Sequence, residues 1–324
     1  MNSHSQNADI LFATVVVSVF NEEEVLPGFY DELSRVLGQL GAAAEVIFVN
    51  DGSNDGSAAV LKELASLDPR VKIINLSRNY GHEAAMIAGI DHSRGNPVIC
   101  MDADLQHPPA KIGEMLEQYR NGFEIVCMKR VASNNLSRFD KMKSLFFYRL
   151  LNQLSPMEFE TGASDFFMVS RRVANILKVE FRERIRFLRG YVQTLGFRKS
   201  VISYTASERA CGKSKYTFSD LCGLSLNAFF SFSNLPLRLG IITGLIVGGF
   251  SILVGIYSIV MRFIGNAPSG YTTIVVLVSF LFAIQFFITG IIGEYIGVIL
   301  IQSRERPIYL VDSMMNIAEC HEAE

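Results

Sequence analysis

Pro97-Val98-Ile99-Cys100-Met101-Asp102-Ala103-Asp104-Leu105-Gln106-His107-Pro108-Pro109 is a short, continuous apolar run that ends on two carboxylates and a double-proline loop. Four more runs of the same kind lie at 13–19, 45–49, 71–76 and 124–128. Between them, segments such as 58–67 and 110–120 place apolar residues at three-to-four spacing. Continuous rather than alternating apolar strands, separated by helices, predict a mostly parallel sheet covered on both faces, a doubly wound α/β domain. Ligands of such sheets sit beyond the carboxyl ends of the strands, so the residues just after each run are the candidates for function.

Outside that domain the composition changes. The chain has 324 residues and is 49% hydrophobic, yet between Pro236 and Ser303 the charged residues are Arg238, Arg262 and Glu294 alone. Stretches 239–261 and 271–293 carry no charge, and as helices each spans roughly 34 Å, enough to cross a bilayer. A short uncharged connector, 265–270, predicts a hairpin of two helices, at about 239–263 and 271–301. Arg238, Arg304 and Arg306 on the shared side, against Arg262 at the turn, predict cytoplasmic termini. The expected organisation is a catalytic domain over 1–235, a membrane hairpin over 236–303 and a cytoplasmic tail over 304–324. Two Phe-rich amphipathic segments, 138–155 and 217–235, fit either core helices or helices lying in the membrane interface; beside a hairpin the interfacial reading is preferred. Tyr257, Tyr271, Tyr295 and Tyr309 are the candidate interfacial anchors. The polar N-terminus lacks a secretory signal pattern, five scattered cysteines form no CxxC pair, and a net charge of −2 gives no footprint for nucleic acid.

The motifs after the strands narrow the chemistry. Phe20-Asn21-Glu22-Glu23-Glu24 follows the first run, so the glycine-rich dinucleotide fingerprint is absent; Gly212-Lys213-Ser214 lacks the upstream half of a P-loop. Asn50-Asp51-Gly52-Ser53 follows the second run and reads as a turn, with Asp51 also placed to accept hydrogen bonds from a base or ribose. Asp102 and Asp104 leave the fourth run at the ligand edge, where two oxygen ligands plus a diphosphate suit Mg²⁺ or Mn²⁺. His107 beside these carboxylates reads as a loop residue rather than a zinc ligand.

Taken in order, residues 16–23, 49–53, Leu76-Ser77-Arg78-Asn79-Tyr80-Gly81-His82-Glu83-Ala84-Ala85, 102–106, Gly162-Ala163-Ser164-Asp165-Phe166 and Arg209-Ala210-Cys211-Gly212-Lys213-Ser214-Lys215-Tyr216 resemble the motifs of family 2 glycosyltransferases. Within that family they are similar to the polyisoprenyl-phosphate hexosyltransferases, which include dolichol-phosphate mannose synthases and bactoprenol glucosyltransferases. Nearly the whole chain takes part, including Gly293-Glu294-Tyr295 and Arg306-Pro307-Ile308-Tyr309. Asn50 departs from the frequent Asp-Asp-Gly-Ser pattern.

The resemblance implies a GT-A fold in which Glu22 and Asp51 hold the nucleoside, Asp102, Ala103 and Asp104 meet the nucleotide sugar, and Asp102, Asp104 and Gln106 bind Mg²⁺ or Mn²⁺ with the diphosphate. Asp165 is implied beside the sugar, with Arg130, Arg209 and Lys215 on the phosphates of donor and lipid; surface ion pairs are the alternative for these basic residues and a helix cap for Asp165. The expected reaction is inverting transfer of a hexose from a nucleotide sugar to a polyprenyl phosphate at a bacterial inner membrane, by a homo-oligomer, in O-antigen or other lipopolysaccharide modification. UDP-glucose is the expected donor, with GDP-mannose, UDP-N-acetylhexosamine, UDP-galactose and UDP-modified arabinose as alternatives. A processive polysaccharide synthase is excluded because its Q-x-x-R-W motif needs a Trp and the chain has none. The rival of another class is a non-catalytic membrane subunit or translocase that keeps the fold.

Overall fold

In a computed structural model, the structure describes residues 12–41, 43–131, 163–182, 188–205, 270–303 and 306–317, with scattered positions between 242 and 264. All five expected runs are strands: β1 (Phe12–Val19), β2 (Ala43–Asn50), β3 (Val71–Leu76), β4 (Val98–Asp102) and β5 (Ile125–Val131). Seven of the eight residues of both β1 and β2 are buried, which is why these runs do not alternate: both faces of the sheet are covered. The connecting helices are α1 (Leu26–Leu40), α2 (Ser57–Leu67), α3 (His82–His92) and α4 (Ile112–Arg120), the last preceded by a 3-10 turn at Pro109–Lys111. Helix α1 shows how sequence sets such an element. Leu26, Phe29, Tyr30, Leu33, Val36 and Leu37 form one buried stripe, Pro27 starts the first turn, and Gly41 ends the helix in the left-handed region at φ 57°.

Three further strands complete the sheet: β6 (Ala163–Val169), β7 (Lys199–Thr205) and β8 (Val311–Met315), with helices α5 (Arg171–Glu180) and α6 (Leu188–Thr194) between β6 and β7. The strand order is β7-β5-β6-β4-β1-β2-β3-β8. Strands β4, β1, β2 and β3 run parallel, as expected; β6 is inserted antiparallel between β4 and β5, and β8 lies antiparallel on β3. The stretch 306–317 is thus part of the sheet domain. Tyr309, read from sequence as an interfacial anchor, instead donates its hydroxyl proton to Asp91 Oδ2 at 2.7 Å, and its ring lies 6.4 Å from that of His92. Asn316 secures the other end of β8 through its amide, which donates to the carbonyls of Ala65 and Val71.

The apolar segment forms a separate unit. Helix α7 (Tyr271–Ser303) has 33 residues, and its stretch Phe280–Gly297 is long and apolar enough to cross a membrane, with none of that stretch buried. Its expected partner at 239–263 is described only at scattered positions, which are helical, and 265–269 of the connector lie outside the described residues. The two-helix hairpin is therefore not established; one apolar helix is. Segments 138–155 and 217–235 also lie outside the described residues.

Candidate active site

Parallel pairing brings the ends of the strands to one edge. Val19 is level with Asn50, Ser18 with Asp102, and Asn50 with Asn75. Side chains then tie the loops that follow. Asn21, at φ 55°, donates its backbone N–H to Ser53 Oγ at 3.0 Å and accepts from the Asn54 N–H at 2.8 Å. The Glu22 N–H donates to Ser57 Oγ at 2.9 Å, and Glu23 Oε2 accepts the Gly56 N–H at 2.8 Å. Asn50 Oδ1 accepts the Ser53 N–H while its Nδ2 donates to Asn75 Oδ1, and Asn75 Nδ2 donates to Ser313 Oγ on β8. An amide both accepts and donates where a carboxylate only accepts, so the departure to Asn50 builds a ladder across β2, β3 and β8.

Asp51 is 2% exposed, and both carboxylate oxygens are engaged: Oδ1 accepts from the Tyr80 N–H at 2.7 Å and Oδ2 from the Gly81 N–H at 2.9 Å. Its first task is therefore to fold the 77–81 loop against the 51–53 turn. Gly52 is required there, at φ 66°, because a Cβ would stand 2.4 Å from the Arg78 carbonyl carbon. Asp51→Ala leaves the part-buried N–H groups of Tyr80 and Gly81 without this carboxylate and is expected to cost about 2 kcal/mol, read as a lowered denaturation midpoint of the purified protein.

At the end of β4, Asp102 Oδ1 accepts from Ser18 Oγ at 2.7 Å and lies 3.1 Å from His82 Nδ1; Ser18 Oγ is itself 2.8 Å from that nitrogen. Because the Ser18 proton goes to Asp102, its oxygen accepts from Nδ1–H. His82 Nε2 points at Asp165 Oδ2, 3.9 Å away, and Arg189 Nη1 reaches the same oxygen at 3.6 Å. Burial lowers the proton affinity of His82, but the charges of Asp102 and then Asp165 outweigh it and push it up to about 10. Burial likewise opposes ionisation of Asp102, yet the His82 charge and the hydrogen bonds from His82 and Ser18 hold its carboxyl well below the usual range. Glu83, the next residue of α3, accepts the Leu188 N–H at 3.3 Å; burial and then the Asp165 charge push its carboxyl up to about 7. For Glu83 the folded value lies above the unfolded one, so its stabilising protonation is lost as pH rises toward 7. Glu83→Gln is accordingly expected to raise the melting temperature at pH 8 and to leave it unchanged near pH 4.5.

The loop after β4 turns on Leu105, a non-glycine residue at φ 60°, and Asp104 Oδ1 accepts the Gln106 N–H at 3.1 Å. Arg130, at the end of β5, donates from Nη1 to Gln106 Oε1 at 3.1 Å, so two of the expected residues meet directly. His107 is 6% exposed: Nδ1 accepts the Asp102 N–H at 2.9 Å and Nε2 lies 2.8 Å from Ser164 Oγ. The ring stacks on Phe166 at 5.2 Å and meets the edge of Tyr204 at 6.2 Å.

The structure thus gathers Asp102 with Asp165 and Gln106 with Arg130, and places Glu22 and Asp51 on the neighbouring loops of the same edge. Arg209 and Lys215 lie outside the described residues. Ser18, His82, Glu83, Ser164, Arg189 and Tyr204 belong to the same network and were not singled out from sequence. Among the described residues no three His, Cys, Asp or Glu side chains converge as a ligand cluster. The donor set on the Asp104 loop is of oxygens, and carboxylate oxygens with a substrate diphosphate to complete the shell fit Mg²⁺ or Mn²⁺ rather than zinc.

Comparison with known proteins shows the family. Residues 14–177 match the profile of Glycosyl transferase family 2. The chain is 36% identical over 299 residues to the bactoprenol glucosyl transferase of Shigella phage SfV, covering 92% of this chain and 97% of that one. It is 35% identical to the uncharacterized glycosyltransferase YkcC of Bacillus subtilis, covering 94% of each. Of solved structures, glucosyl-3-phosphoglycerate synthase from Mycobacterium tuberculosis, crystallised with Mn²⁺, UDP and phosphoglyceric acid, aligns with a TM-score of 0.47 at 16% identity, over 69% of this chain and 77% of that one. A profile that takes in half the chain, and relatives above 30% identity along nearly its full length, establish that the chain belongs to glycosyltransferase family 2.

Proposed function

We propose that the protein transfers glucose from UDP-glucose to a polyprenyl phosphate, with inversion at the anomeric carbon, giving a lipid-phosphate-linked sugar for modification of a cell-surface glycan. The observation that carries the reading is the Asp102–Asp104 loop at the ligand edge, with Asp102 tethered by Ser18, His82 and His107 and Asp104 two residues further along a tight turn. The bactoprenol glucosyl transferase relative supports the acceptor and the sugar. A lipid phosphate is already an anionic nucleophile at neutral pH, so the barrier lies in departure of UDP and in holding two anionic groups together. Asp104, with Gln106 and Asp102, would hold Mg²⁺ or Mn²⁺, which when bound neutralises charge on the departing diphosphate. Glu22 and the 77–81 loop built on Asp51 face the nucleoside, Asp165 orients the sugar, and Arg130, Arg209 and Lys215 bind the phosphates.

Helix α7 belongs to this reading as a membrane span, paired with 239–263 in a hairpin that keeps the catalytic domain and both termini on the cytoplasmic side of a bacterial inner membrane. Homo-oligomerisation is part of the same proposal. Membranes containing the protein, incubated with labelled UDP-glucose, UDP-galactose, UDP-N-acetylglucosamine, UDP-modified arabinose or GDP-mannose and undecaprenyl phosphate, are expected to label lipid from UDP-glucose. Labelling from another donor alone reassigns the sugar. No labelling from any donor favours a non-catalytic membrane subunit or translocase.

A further inference from the structure

Strand β4 pairs with β6 at Val98↔Val169, Ile99↔Met168 and Cys100↔Phe167, and there the ladder stops. Continued for two more residues, the same register would set Asp102 opposite Asp165, two carboxylates on one face of adjacent strands. Direct pairing would bring them within a few ångströms of each other, where like charges destabilise a sheet. Strand β6 also shifts register against β5 between Cys127 and Lys129, so Ser164 and Asp165 sit on an irregular stretch that re-aims its side chains.

His107 occupies the place of the missing rung. A backbone N–H only donates, so Nδ1, which receives the Asp102 N–H, carries no proton. The neutral ring then has its proton on Nε2, which donates to Ser164 Oγ on β6. The path from β4 to β6 at this level runs through an imidazole instead of one N–H···O=C bond. Stacking on Phe166 and the edge of Tyr204 leave the ring little freedom to tilt. On the side-chain side of the same opening His82 spans Asp102 and Asp165, so two imidazoles frame the carboxylate pair from different directions.

We propose that His107 is a positioning residue: a neutral imidazole that forms the last rung between β4 and β6 and sets the separation of Asp102 and Asp165. Its bearing on catalysis rests on the glycosyl-transfer reading above; its geometry does not. An Asn side chain offers an amide oxygen near the place of Nδ1, whereas Phe keeps the stacking and offers no acceptor.

In the full-length protein with ¹⁵N-labelled histidine, NMR is expected to show His107 with an acceptor-type Nδ1 and a protonated Nε2. A proton on Nδ1 would overturn the rung. In transfer assays His107→Phe should lower kcat/KM for the nucleotide sugar about 100-fold, the scale of a misplaced catalytic group, and His107→Asn should recover about tenfold of that at a matched melting temperature. An Asn variant no better than Phe, or losses that simply follow melting temperature, would defeat the positioning role. Absence of transfer by the unmodified protein would count against the glycosyl-transfer reading, and the NMR result would still decide the rung.

Discussion

Replacing Asp104 by alanine is expected to lower kcat for sugar transfer about a thousandfold or more while the protein stays folded and membrane-bound. Asp104 sits on the turn after β4, where its Oδ1 accepts the Gln106 N–H, and it is not part of the buried core. Its loss therefore has little to disturb in the sheet. What it removes, on the proposed reading, is a carboxylate at the site of the developing diphosphate charge, where electrostatic stabilisation is usually the largest contribution to the rate. Circular dichroism and melting temperature of the variant, measured with the rate, separate chemistry from folding; turnover within tenfold of the unmodified protein contradicts the assigned role.

The second large effect belongs to His82. Its ring links Asp102, through Nδ1, with Asp165, facing Nε2. His82→Gln cannot carry the positive charge that holds these carboxylates together, and a loss of about 100-fold in kcat/KM is expected from the displaced pair. Stability should follow pH in a way that a packing defect would not. Because the folded value of about 10 lies above the ordinary histidine value, the charged ring stabilises the fold in full below pH 6.5, and the contribution fades as pH rises through 10. The melting-temperature gap between the unmodified protein and His82→Gln is thus expected to be largest near pH 6 and to close above pH 10, in buffer without divalent ions. A gap independent of pH would assign His82 to packing alone.

Strands β1 to β5 were legible because burial on both faces leaves an unmistakable continuous apolar run. Strand β6 was harder. Gly162-Ala163-Ser164-Asp165-Phe166 begins with small and polar residues, and only Phe166 to Val169 carries the apolar pattern, because the polar part lies on an irregular stretch at the site. β8 escaped for a different reason: Val311-Asp312-Ser313-Met314-Met315 is an edge strand, exposed at its three central residues, whose partner lies more than 230 residues earlier in the chain. Long-range pairing of that kind has no local signature.

At the site, strand-end position singled out Asp102 and Asp104, while Gln106 and Asp165 came only from the family resemblance. Partners could not be read the same way. His107 stood five residues after Asp102 and looked like a loop residue, but its function depends on Ser164 arriving from β6. His82 and Ser18 likewise acquire meaning only when β1, α3 and β4 converge. Asp51 shows a different case: its position suggested a ligand contact, and its carboxylate also accepts two backbone N–H groups that fold the neighbouring loop.

The most direct measurement is product analysis with the purified full-length protein, UDP-glucose, undecaprenyl phosphate and Mg²⁺ or Mn²⁺. Mass spectrometry is expected to find the lipid heavier by one hexose, with one UDP released per glucose transferred and a β linkage by NMR. UDP-glucose left unconsumed, or cleaved to free glucose with the lipid unchanged, would contradict the account.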